Sequence, residues 1–195
     1  MAQRDYDDSR LTRDEIDRIA REALSDLYRY DFALLQHDVS ERAITHKLAE
    51  RLQRLFPGFD VDCQYNRNVE LGPYAEKVIH TPRDKRKEEL RDIPRSEQNE
   101  EKLLEVSTYP DIVVHRRLKN DKNMLVIEVK KRSNERDCWF DRLKLGAFTG
   151  TAGRDFCNYR YGLLVILRTR SNDVEEPELI WFCNGQEESV KPGGA

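Results

Sequence analysis

The chain has 195 residues, of which 38% are hydrophobic and 36% are charged, and its formal net charge is −3. This length suits one domain with a buried core. The slightly acidic balance excludes a uniformly basic surface for coating nucleic acid, so any contact with nucleic acid has to depend on local basic patches.

The cysteines and the N-terminus indicate the compartment. Cys63, Cys138, Cys157 and Cys183 form no Cys-x-x-Cys pair, so we expect reduced core thiols rather than a zinc knuckle or a disulfide framework. The first residues contain no apolar leader, and no run reaches the length of a membrane span. We therefore expect a cytoplasmic protein that makes no membrane contact.

Two helices are predicted at the N-terminal end. Thr12 and Glu15 form a capping box, and apolar residues follow at helical spacing to about Leu35. We interpret residues 1–38 as an accessory helix that either packs on the domain or forms a homodimer. The second helix is predicted over residues 40–56, and Glu41 in its first turn is placed to complete a capping box with Asp38.

A strand and a long insertion come next. Residues 59–66 alternate Phe59, Val61, Cys63 and Tyr65 with polar residues, which predicts a strand with one buried face. Residues 69–108 have no such pattern and form an insertion. Within it, residues 83–105 are mostly charged, so we expect high mobility and either a lid or a solvated loop with a short helix.

Residues 109–131 predict a β-hairpin. Two β-branched runs, 111–114 and 124–129, flank a polar segment suited to a turn. A hairpin centred between Asn120 and Asp121 would place Asp111 opposite Lys130, with Glu128 diagonal to Asp111 on the same face. Two carboxylates at the end of a sheet suit Mg²⁺. The alternative is an exposed edge with an Asp–Lys cross-strand pair.

The last third of the chain predicts one helix and two strands. The helix covers residues 135–148, where Asp141 and Lys144 lie three residues apart and suit a surface ion pair. The continuous apolar run 161–167 predicts a strand that is buried on both faces, and residues 178–183 predict another strand. Residues 186–195 are polar and are expected to be a flexible tail.

Pro110-Asp111 followed by Glu128-Val129-Lys130 resembles the motif of the PD-(D/E)XK nuclease superfamily. The resemblance implies an α/β fold with a restriction-endonuclease-like αβββαβ core, in which helices flank a mixed central sheet. The order of predicted elements agrees with this core over residues 39–185. The N-terminal helix and the charged insertion would be additions to it.

The resemblance also implies an activity: a metal-dependent nuclease that hydrolyses phosphodiester bonds, with DNA favoured over RNA as its partner. Mg²⁺ or Mn²⁺ would be held by Asp111, Glu128, the backbone carbonyl of Val129 and, through water, Glu41. Lys130 would orient or deprotonate the attacking water. The catalytic set is therefore Asp111, Glu128, Lys130 and Glu41, with helix capping as the alternative role of Glu41.

Residues 115–136 carry more Lys and Arg than Asp and Glu, so the surroundings of the motif are basic. Arg116, Arg117, Lys131 and Arg132 are candidates for holding a nucleic-acid backbone, and the resemblance adds Lys144. The alternative function is a catalytically inactive module that binds nucleic acid or protein on the same scaffold. Such a module is expected to have lost a motif residue, whereas all three are present here.

Overall fold

The computed structural model of the protein describes residues 11–68, 72, 74–82, 103–132, 138–151 and 157–189. These residues form three α-helices and eight strands. The helices are α1 (Arg13–Gln36), α2 (Glu41–Leu55) and α3 (Trp139–Thr149). The strands are β1 (Asp60–Cys63), β2 (Val78–Pro82), β3 (Leu103–Ser107), β4 (Ile112–His115), β5 (Leu125–Lys131), β6 (Tyr161–Leu167), β7 (Glu178–Cys183) and β8 (Gln186–Glu187).

Six strands form a mixed sheet in the order β1-β4-β5-β6-β7-β8. Strand β5 runs parallel to β6, and the other neighbours are antiparallel. A parallel pair needs a crossover connection, which α3 supplies between β5 and β6. The predicted mixed α/β sheet is confirmed. None of the helices among the described residues is long and apolar enough to cross a membrane.

Helices α1 and α2 cover one face of the sheet. The predicted capping box of α1 is present, because Thr12 accepts from the Glu15 amide and Glu15 accepts from the Thr12 amide. Ile16 and Leu27 on α1 are completely buried in the same core as Ile127 of β5. The apolar stripe of α1 is thus covered by its own domain, and a homodimer through this helix stays a prediction.

The start of α2 differs from the prediction. Its N-cap is Ser40, whose hydroxyl accepts from the Ala43 amide at 3.3 Å, so the expected capping box of Asp38 and Glu41 is wrong. Asp38 has a left-handed backbone (φ 51°), and its carboxylate is instead ion-paired with Lys131 and Arg170. The Glu41 side chain is therefore available for other contacts.

All four cysteines are free thiols, as expected, but only Cys157 is fully buried. Cys63 is exposed, which contradicts its predicted place in the core. It is the last residue of the short edge strand β1. In the predicted strand segment 59–66, only Phe59 is buried. Strand β1 lies at the edge of the sheet and neighbours β4 alone, so its end is covered on fewer sides than that of a central strand.

The insertion carries an antiparallel ribbon that the sequence pattern did not predict. Strands β2 and β3 pair with each other, and Ile79 and Val106 are completely buried in the α3 face of the sheet. Residues 83–102 lie outside the described residues, so their expected mobility stays a prediction. The first residues of the predicted third helix, 135–137, and the end of the predicted tail, 190–195, also lie outside the described residues. Residues 186–187 belong to the predicted flexible tail, but they pair with β7 as strand β8.

Lys77, just before β2, links this ribbon to the main sheet. Its side chain is almost fully buried, and its ammonium donates to the carbonyl oxygens of Tyr65 (3.2 Å) and Arg67 (2.7 Å). The ammonium also lies 4.6 Å from the centre of the Tyr65 ring. Burial lowers the pKa of Lys77 from 10.5 to about 8.

We expect this buried lysine to make folding pH-dependent on the alkaline side. Between pH 8 and 10.5 the unfolded chain binds more protons at Lys77 than the folded chain, so stability should rise with pH. The Lys77→Met protein should lack this rise, so the difference between the two unfolding free energies should change by at most about 3 kcal/mol across that range. Urea unfolding measures the difference, with surface Lys47→Met as the control. Parallel pH curves would contradict the prediction.

Candidate functional site

The motif hairpin pairs in a different register from the predicted one. Ile112 lies opposite Ile127 and Val114 opposite Leu125. Continued by one residue, this register puts Asp111 opposite Glu128 rather than Lys130. The difference of two residues arises at the hairpin tip, where a turn of 3-10 helix (Asn120–Lys122) follows the left-handed Leu118 (φ 63°).

The observed register places both motif carboxylates on one face of the sheet. Ile127 and Val129 of β5 point into the α1 and α2 core, so the alternating Glu128 and Lys130 belong to the α3 face. Asp111, directly across from Glu128, accepts a hydrogen bond from the Val129 amide at 2.9 Å. This bond holds the Asp111 carboxylate beside Val129, in the second half of β5.

Glu128 is the most deeply placed charged group of the site, with no exposed surface. Its Oε2 accepts from the Lys144 ammonium at 2.5 Å. Its Oε1 is buried and has no hydrogen-bond partner among the described residues. Burial raises the pKa of Glu128 well above its ordinary value, against the opposing charge of Lys144. A buried carboxylate oxygen without a partner is costly unless a ligand satisfies it.

Charges alternate outward from Glu128. Lys144 also contacts Asp141 Oδ1 at 3.1 Å, and the other oxygen of Asp141 lies 3.4 Å from the Lys130 ammonium. That ammonium lies 3.4 Å from Glu41 Oε1. We call the six groups the Glu128 cluster; they are Glu41, Asp111, Glu128, Lys130, Asp141 and Lys144. Asp141 and Lys144 form the expected ion pair, but its predicted exposure is wrong, because both side chains are buried.

The Glu128 cluster is short of positive charge. Burial raises the pKa of Asp111, while the Val129 amide and the charges of Lys144 and Lys130 oppose that shift. Burial alone would lower the pKa of Lys130, but Asp141, Glu41 and Asp111 together raise it. Four carboxylates against two ammonium groups leave a formal charge of −2 when all are ionised. One divalent cation would balance it.

The residues present fit such a cation. In the described part of the chain, no three His, Cys, Asp or Glu side chains form a metal-binding group. Mg²⁺, however, needs only one or two protein carboxylates because it keeps several waters. Asp111 and Glu128 supply two carboxylates, and Glu128 Oε1 is an oxygen with an unfilled hydrogen-bonding position. The carbonyl of Val129 as a third ligand stays a prediction.

Glu41 reaches the site from the first turn of α2. Besides its contact with Lys130, its Oε2 accepts from the Lys131 backbone amide at 3.1 Å. The side chain thus bridges α2 and the end of β5, and it joins the Glu128 cluster through Lys130. This contact, rather than helix capping, is what the structure gives Glu41; binding of metal through water stays a prediction.

The basic residues next to the motif divide into two groups. Lys131 ends β5 and Arg132 follows it; alternation along the strand places the Lys131 side chain on the face opposite to Glu128. The Lys131 ammonium is bound by Asp38 and by the Val39 carbonyl, whereas Arg132 is exposed and pairs with Glu178. Lys144 lies inside the Glu128 cluster, so its predicted contact with nucleic acid would require it to leave Glu128.

Arg116 and Arg117 belong to the opposite end of the hairpin. Strand geometry places Arg116 about 16 Å from Asp111 along β4. Arg117 forms a hydrogen-bonded ion pair with Asp62 of β1. The structure therefore does not bring these two arginines to the Glu128 cluster, although an extended nucleic-acid backbone could span both ends.

Asp141 is a residue of the cluster that the sequence predicts only as half of an exposed ion pair. Its signal was its spacing from Lys144, three residues along the helix that follows the motif strand. That spacing is equally typical of a solvent-exposed pair. Only the packing of α3 against β5 shows that each oxygen of Asp141 contacts a different lysine.

No family model, curated protein or solved structure matches the chain significantly. The interpretation of the Glu128 cluster accordingly depends on the motif residues and on the geometry described above.

Proposed function

We propose that the protein is a metal-dependent nuclease of the PD-(D/E)XK type that hydrolyses phosphodiester bonds, with DNA preferred over RNA. The observation that carries the proposal is the position of Glu128 in the middle of β5, where the extended register of β4 and β5 brings Asp111 opposite to it. Burial is complete at Glu128, one of its oxygens has no hydrogen-bond partner in the described chain, and Lys130 follows on the same face. An apolar core has no need of such a group.

The element order supports the same proposal. Taken in chain order, α2, β1, β4, β5, α3 and β6 agree with the αβββαβ core that the motif implies. The ribbon of β2 and β3 is inserted between the first and second core strands. This agreement concerns fold, and a fold alone does not define a substrate.

The roles of the residues follow from their contacts. Asp111 and Glu128 would hold Mg²⁺ or Mn²⁺, which when bound would stabilise negative charge on the phosphate and acidify a water. Lys130 is held between Asp141 and Glu41, and its raised pKa keeps it an ammonium at neutral pH. We therefore assign Lys130 to orienting the attacking water or the scissile phosphate rather than to taking a proton.

A cleavage assay tests the proposal directly. The full chain is incubated with single-stranded, double-stranded and branched DNA and with RNA, in Mg²⁺, Mn²⁺ or EDTA. We expect cleavage with a divalent cation and none with EDTA. Salt-sensitive binding without cleavage of any substrate would instead favour the inactive binding module, and cleavage that persists in EDTA would contradict the proposal.

Substitution of Glu41 tests its part in the site. We expect Glu41→Gln to fold normally, because glutamine keeps an oxygen that can accept from the Lys131 amide, and to cleave about tenfold more slowly because Lys130 loses a charged partner. Glu50→Gln, on the same helix but in a surface pair with Lys47 and Arg54, is the matched control. Cleavage at the wild-type rate would limit Glu41 to a structural role.

A further inference from the structure

We propose that Lys144 is an internal counter-ion of the cation site, and that a divalent cation bound by Asp111 and Glu128 displaces its ammonium from Glu128 toward Asp141. The inference rests on the proposed function, because it describes how the same site would accept Mg²⁺ or Mn²⁺. It adds a competition between a side chain of the protein and the metal, and it gives α3 a direct part in metal binding.

The first observation is the position of the ammonium. Lys144 contacts Glu128 Oε2 at 2.5 Å. Burial raises the pKa of both Asp111 and Glu128, and the positive charge of Lys144 opposes this rise more than any other nearby charge. The ammonium therefore contacts one proposed metal ligand, Glu128, and its charge acts on the other, Asp111. A divalent cation shared by the same two carboxylates would be repelled strongly by an ammonium so close to it.

The second observation is the unfilled oxygen. Glu128 has no exposed surface, yet Lys144 satisfies only one of its two oxygens, and Oε1 has no hydrogen-bond partner in the described chain. A purely structural ion pair at full burial is expected to satisfy both oxygens, because the unpaired one carries a desolvation penalty. Glu128 Oε1 is therefore the oxygen at which a second partner of Glu128, such as a cation, would bind.

The third observation is that Lys144 has another partner nearby. Asp141 lies one helical turn earlier on α3, and its Oδ1 is already 3.1 Å from the ammonium. Withdrawal from Glu128 would leave this contact in place, so the displaced ammonium need not be buried without a counter-charge. A change in the Lys144 side chain is sufficient, without movement of the backbone.

Mn²⁺ binding to the full chain tests the competition. Isothermal titration calorimetry with Mn²⁺ alone compares wild type with Lys144→Met, which keeps the length of the side chain and removes its charge. We expect Lys144→Met to bind Mn²⁺ about tenfold more tightly. Arg51→Met removes a cation from the partly buried pair with Asp31 between α1 and α2, and this control should stay within about twofold of wild type.

Chemical protection of Lys144 tests the displacement in the wild-type chain, without a substitution that alters folding. A brief acetylation pulse followed by peptide mass spectrometry should show Lys144 becoming several-fold more reactive when Mn²⁺ is added. Buried Lys77 serves as the internal reference and should not change. In Glu128→Gln, added Mn²⁺ should leave the reactivity of Lys144 unchanged.

The outcomes separate this inference from the proposed function. Equal or weaker Mn²⁺ binding by Lys144→Met, or full protection of Lys144 in Mn²⁺-loaded wild type, would overturn the inference and leave the metal site intact. Binding by Lys144→Met but not by wild type would support it, with Lys144 outcompeting the ion. Absence of Mn²⁺ binding from both proteins would remove the metal site itself, and the inference with it.

Discussion

Lys130→Ala should fold and bind Mn²⁺ but cleave about 10² to 10⁴ times more slowly than wild type. Lys130 is not among the proposed metal ligands, so its loss leaves Asp111 and Glu128 in place. What the variant loses is the ammonium held at 3.4 Å from both Glu41 and Asp141. Single-turnover cleavage at saturating Mn²⁺ measures the effect, because it separates the chemical step from metal binding.

The control for this substitution is Lys47→Ala, which removes a lysine from a surface pair with Glu50. It should cleave at the wild-type rate and unfold at nearly the same urea concentration. Wild-type cleavage by Lys130→Ala across a range of salt and metal concentrations would assign any activity to another site. The motif lysine would then serve only to balance charge.

Asp111→Asn should bind Mn²⁺ about 100-fold more weakly, equivalent to about 2.8 kcal/mol, and lose cleavage with it. In EDTA the same variant should be more stable than wild type. Burial raises the pKa of Asp111, so holding this carboxylate ionised at neutral pH destabilises the folded state. Asparagine removes the charge and keeps an oxygen for the Val129 amide. We expect a gain of about 1 kcal/mol, or about 2–4 °C in Tm.

Thermal unfolding with and without Mn²⁺ checks both parts. Wild type should gain stability from Mn²⁺, and Asp111→Asn should not. Asp62→Asn is the matched control: Asp62 is also half-buried, but the Arg117 guanidinium lowers its pKa, so its loss should destabilise the protein in EDTA. Reduced stability of Asp111→Asn in EDTA would show that the carboxylate is satisfied without a cation.

The faces of the strands could be predicted from the sequence, but the register of the hairpin could not. Alternation on β5 separates Ile127 and Val129 from Glu128 and Lys130, because side chains on a strand alternate whatever its neighbours are. Register depends on the tip, where Leu118 adopts a left-handed backbone that its residue type rarely takes. A polar composition predicts a turn there without specifying how many residues the turn contains.

Two other differences have a tertiary cause. Ile79 and Val106 belong to short, mostly apolar runs, Val78-Ile79 and Leu103–Val106, in charged surroundings, and both pack in the core on the α3 face. The sequence pattern likewise predicts an exposed Asp141, because its burial depends on the packing of α3 against β5. Local pattern predicts elements well when burial repeats along them, and poorly when a single contact with a distant element decides the outcome.

Trp181 is an optical probe of the packing of α1 against the sheet, because its ring contacts residues of that helix. Its indole donates to Asp17 Oδ1 at 3.0 Å, and the Arg13 guanidinium lies 3.7 Å from the ring centre, so both partners are on α1. The chain has two tryptophans, and the other, Trp139, begins α3 on the opposite face of the sheet. Fluorescence of Trp139→Phe would therefore follow detachment of α1 alone, and that of Trp181→Phe would follow events at α3.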